Sequence, residues 1–152
     1  MISKILVGLD DTARAPHVAI VAGQLAARLQ ATLIPFRAIP FPQDFPAAGG
    51  GGKPVALPAL LREQATRALL ALVAPLTGVD VAPPVLSMGE AARAIIAAAE
   101  RLDVDLIAIG SHGYHGWDRV LGTTVSAVAN RATRNVFVIH DPADAHSAKN
   151  RP

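Results

Sequence analysis

The chain has 152 residues, 51% of them hydrophobic and 17% charged, which suits one domain with a buried sheet and is far from the composition of disorder. A formal charge of only +2, with one Trp and one Tyr, leaves neither the basic surface nor the stacking aromatics that a nucleic-acid binder uses. With no Cys in the sequence, disulfides, thiolate metal sites and thiol nucleophiles are excluded.

Met1-Ile2-Ser3-Lys4 enters an apolar run at Ile5 without the apolar core and cleavage site of a secretory signal, so a cytoplasmic location is expected. Residues 5–9, nearly unbroken in their apolar character and closed by Asp10-Asp11-Thr12, read as a strand buried on both faces and followed by a turn. Residues 14–29 change to helical spacing, with Val18, Val21, Ala22, Leu25 and Leu29 on one face. Residues 31–38 read as a second strand, in which Pro35 must lie where its missing N–H does no harm. Residues 40–58 combine several prolines with Gly49-Gly50-Gly51-Gly52 and predict a mobile loop inside the domain.

A helix is expected over 57–76, a third strand over 79–86 and an Ala-rich helix over 90–102. The longest apolar stretch, Ala68 to Leu76, contains Pro75 and is too short to cross a bilayer, so no membrane association is expected. Residues 105–110 repeat the buried-strand pattern of the first strand; 122–131 read as a last helix and Val136-Phe137-Val138-Ile139 as a last strand. One domain over 1–141 with a polar tail over 142–152 is expected. Strands alternating with helices predict a doubly wound α/β fold, a five-stranded and mostly parallel sheet with helices on both faces. Ligands of such sheets bind beyond the carboxyl ends of the strands where strand order reverses, which singles out the loops after the first strand and after residue 110.

The second of these loops runs Gly110-Ser111-His112-Gly113 to Gly122-Thr123-Thr124, from a strand end to a helix start. Glycines there allow close backbone approach, and unpaired N–H groups with Thr hydroxyls suit an anion. The same residues also fit a tight loop with a Thr helix cap. His112 and His115, separated by two residues and with no carboxylate set beside them, read as polar loop lining rather than metal ligands. Gly49 to Lys53 is not a P-loop, since Ala47 stands at the first glycine position and Pro54 at that of the Ser or Thr.

Gly110-x-x-Gly113 followed by Gly122-Thr123, together with Lys4-Ile5-Leu6-Val7-Gly8-Leu9-Asp10-Asp11-Thr12 and Gly89-Glu90-Ala91, resembles the universal stress protein family from Lys4 to His140. The resemblance implies an adenine nucleotide, ATP or AMP, with Mg as its possible companion. It carries a ribose contact to Asp10, base contacts to Leu9 and Thr12, an adenine contact to Ala38, and base and ribose lining to Ile109 and Gly110. Phosphate contacts go by the same matching to Gly113, Gly122, Thr123 and Thr124. Eight residues separate Gly113 from Gly122 where ATP-binding members have nine, a departure that a smaller ligand such as AMP tolerates.

The resemblance further implies a homodimer paired through the strand Val136 to Ile139. The expected function is that of a stress-response sensor whose ligand alters the surface shown to a protein partner, with recognition as its chemistry and at most weak ATP hydrolysis. The alternative is a dimeric interaction protein of the same fold that binds no nucleotide.

Overall fold

The computed structural model describes residues 1–40, 56–111 and 123–142. Ten elements follow in order: β1 (Lys4–Gly8), α1 (Ala15–Leu29), β2 (Thr32–Ile39), α2 (Ala56–Val73), β3 (Asp80–Val81), β4 (Val85–Met88), α3 (Ala91–Arg101), β5 (Leu106–Gly110), α4 (Thr123–Arg131) and β6 (Asn135–Ile139). The strands form one sheet in the order β3-β2-β1-β5-β6, with β4 also on β2, and every pairing is parallel. The doubly wound α/β reading holds, with six strands in place of the expected five.

The extra strand comes from the segment read as one strand over 79–86. Pro83 and Pro84 carry no N–H, so the ladder on β2 stops after Ala82 N–H donates to Leu33 O at 2.9 Å and resumes at Val85, opposite Phe36. The same break accommodates Pro35. In a parallel pair, alternate residues turn both backbone groups to the same neighbour; Leu33 and Ile39 face β3 and β4, and so does Pro35. Its missing N–H therefore meets the interruption between those two strands, while its other neighbours keep the ladder to β1 intact.

Side-chain alternation sorts the sheet into two cores. Ile5, Val7, Leu33 and Ala108 pack with Val18, Ala22 and Ala26 of α1 and Leu69 and Val73 of α2. Leu6, Ile34, Phe36, Ile107 and Ile109 pack on the other face with Ala92, Ile95, Ala98 and Ala99 of α3 and Val125 and Val128 of α4. Central strands buried on both faces are what unbroken apolar runs encode. Among the described residues no helix is long and apolar enough to cross a membrane.

Local devices fix the ends of these elements. Glu90 caps α3, accepting from Ala92 N at 2.8 Å and Arg93 N at 2.9 Å. The Arg93 and Ala92 amides hold its carboxyl below the usual carboxylate range. At the amino ends of β1 and β5, Asp105 Oδ2 accepts from Ser3 N at 2.8 Å, Ser3 Oγ at 2.9 Å and Lys4 N at 3.0 Å. Those bonds, Ser3 N foremost, hold its carboxyl low as well.

Candidate nucleotide site

The order of strands reverses at β1, whose neighbours are β2 on one side and β5 on the other. Past the carboxyl ends of β1 and β5 lies a cavity of about 120 Å³. This is the scale of one aromatic ring, since an apolar cavity of roughly 150 Å³ holds benzene. Its deep wall is apolar, formed by Val18, Phe36, Ile95, Ile109 and Val125, all of them buried. Its polar lining comes from Asp10, Thr12, Arg14, Ser111 and Thr124. An apolar seat bordered by a few polar groups is the usual make-up of a small-molecule site.

Two local structures shape that border. Asp10 Oδ1 accepts from Thr12 N at 3.0 Å and Thr12 Oγ1 at 2.7 Å, so the carboxylate folds the turn after β1 on itself in an Asx-turn. Arg37 holds the same turn from β2, with Nε donating to Leu9 O at 3.1 Å and Nη2 to Asp10 O. Asp10 therefore shapes the turn after β1 and lines the cavity as well.

The second structure joins β5, β6 and α1. Ser111 N donates to Ile139 O at 2.8 Å, and Ser111 Oγ lies 3.0 Å from His140 Nδ1. Arg14, the N-cap residue of α1, donates from Nη1 to Ser111 O at 3.1 Å, and His17 Nε2 donates to His140 O at 3.2 Å.

Of the ten residues singled out in the sequence, Leu9, Asp10, Thr12, Ala38, Ile109, Gly110 and Thr124 line this one cavity. Thr123 opens α4 on its exposed side and is not among the described lining residues. Gly113 and Gly122 lie outside the described residues, as do His112, His115 and the Gly49 to Lys53 run. Sequence reasoning missed Arg14 and, of the apolar wall, Val18, Phe36, Ile95 and Val125. The signal for Arg14 was its place as the cation of the β1–α1 turn; that for Ile95 was its position one helical turn after Ala91. No cluster of three or more potential metal ligands occurs among the described residues.

The model of the universal stress protein family matches residues 1–140. Universal stress protein A homolog 1 of Coxiella burnetii (strain RSA 493 / Nine Mile phase I) is 31% identical over 139 residues, 89% of this chain and 94% of the relative. A universal stress protein solved in complex with cAMP aligns with a TM-score of 0.68 at 22% identity, over 91% of this chain and 97% of that one. The universal stress protein from Archaeoglobus fulgidus in complex with dAMP gives 0.64 at 20% identity, over 91% and 99%. At those identities the two structures are alike in fold.

Proposed function

The chain belongs to the universal stress protein family, and from that premise we propose that it binds an adenine nucleotide in the cavity between β1 and β5 and acts as a sensor. The observation that carries this reading is a ring-sized apolar seat with Asp10 on its border at the switch point of the sheet. Two relatives of the same fold were solved with cAMP and with dAMP. The base would rest against Ala38 and Ile109, with the backbone of Leu9 and Thr12 at its edge, and Asp10 would accept from ribose hydroxyls. Gly110 would stand beside the ribose, and Thr123, Thr124, Gly113 and Gly122 belong with the phosphates by resemblance. Asp10 is the acidic residue of the described lining, so Mg would arrive mainly on the oxygens of ATP rather than on a protein cage.

Isothermal titration with ATP, ADP and AMP, each with and without Mg, tests this. Asp10→Ala is expected to weaken binding about tenfold or more, the cost of hydrogen bonds to a charged acceptor. Asp10→Asn, which keeps an oxygen for Thr12, separates loss of charge from loss of the turn. Absence of heat with every nucleotide at millimolar concentration rejects the proposal. The eight-residue spacing before Gly122 favours the second reading, an interaction protein without nucleotide. Chain purified with no excess absorbance at 260 nm and no retained nucleotide would support that one.

Under either reading we propose a homodimer through β6, which ends the sheet and leaves Phe137 38% exposed. Ile139 O faces β5, so by alternation Val138 turns its backbone groups to the open edge. Val138→Pro removes an outward donor there and is expected to halve the mass seen by sedimentation equilibrium. A parent chain that already sediments at 15.7 kDa excludes the dimer.

A further inference from the structure

We propose that Asp141 competes with the ligand's phosphate for Arg14, so that the segment leaving β6 limits nucleotide affinity from within the chain. This rests on the nucleotide reading above. Among the described lining residues Arg14 is the cation and Asp10 the anion. A phosphate attached to the ribose that Asp10 would hold meets repulsion from that carboxylate, and among the described lining residues the guanidinium is the group that can offset it. Arginine presents its donors as a planar fork suited to phosphate oxygens.

That guanidinium already has an intramolecular carboxylate at hand. Arg14 Nε lies 3.8 Å from Asp141 Oδ2, and the two side chains are 23% and 24% exposed. The contact is longer than a hydrogen bond. Between these two atoms it is an ion pair without a hydrogen bond, a kind of contact that a better-placed anion can exchange, and partial burial keeps it from being fully screened.

Contacts other than the Arg14 pair bring Asp141 to this place. The preceding residues are fixed by Ser111 N to Ile139 O at 2.8 Å, Ser111 Oγ to His140 Nδ1 at 3.0 Å and His17 Nε2 to His140 O at 3.2 Å. The carboxylate thus remains beside Arg14 at high effective concentration. Ligand affinity falls by the fraction of molecules in which Arg14 is engaged.

The test compares AMP with adenosine, which lacks the phosphate, by titration calorimetry. Asp141→Asn removes the charge and keeps the shape. It is expected to tighten AMP roughly two- to fivefold, the range that partly exposed ion pairs support, and to leave adenosine unchanged. Arg14→Gln is expected to weaken AMP, and in that background Asp141→Asn has no further effect.

Equal AMP affinity in Asp141→Asn and parent overturns the proposal while leaving nucleotide binding intact. An equal gain for adenosine also overturns it, because the effect is then general loosening. Failure of the parent and both variants to bind either compound removes the nucleotide reading and this proposal together.

Discussion

Phe36→Ala is expected to lower the unfolding free energy by about 3–5 kcal/mol, measured by urea denaturation followed by circular dichroism. Phe36 is fully buried in the middle of the sheet, opposite Gly8 of β1 and Val85 of β4. It packs in the core formed with α3 and α4, so truncation removes contacts that no neighbour replaces without moving a strand. The ring also forms part of the cavity wall, and the void left behind joins that cavity. Water can then enter from the polar side, which places the loss toward the lower end of the range. Phe36→Leu should fall well short of the alanine loss. A loss below about 1 kcal/mol in the alanine variant would show that the ring does not pack as described.

Gly110→Ala is expected to cost about 1–3 kcal/mol, an overpacking effect. A Cβ on Gly110 would stand 2.7 Å from Val18 Cγ2, inside van der Waals contact. Val18 cannot swing away cheaply, because it is buried in α1 and a β-branched side chain on a helix has one strongly preferred rotamer. The clash must therefore push α1 from the end of β5, where Gly110 and Val18 both line the cavity. Val18→Ala removes the colliding methyl at a cost of about 1.5 kcal/mol for the lost burial. The double variant should be more stable than the sum of the two losses by about 1 kcal/mol. Additive losses would mean that the two positions do not collide.

The central strands were legible because burial on both faces leaves a nearly unbroken apolar run, as at Ile5 to Leu9 and Leu106 to Ile109. The third strand was not, because apolar character continues across Pro83 and Pro84 and hydropathy does not register missing donors. The two threonines show what one helix phase decides. Val125 and Val128 mark the buried side of α4. At about 100° per residue, Thr123 stands roughly 200° from Val125, whereas Thr124 is about 40° from Val128. The phase was available in the sequence, and it separates the lining residue from the exposed one. Arg14 was less accessible, since its role depends on Ser111, 97 residues further along the chain, and on Asp141 beyond β6.

The pairing of β1 with β5, Ile5 beside Leu106, also orders events during synthesis. A ribosome adding about 5–20 residues per second releases β1 and β2 seconds before β5 exists. For that interval one side of β1 is an open template for any extended segment nearby. The cavity is thus completed among the last parts of the domain, and a nascent chain stopped short of β5 lacks the lining from Ile109, Gly110, Ser111, Thr124 and Val125.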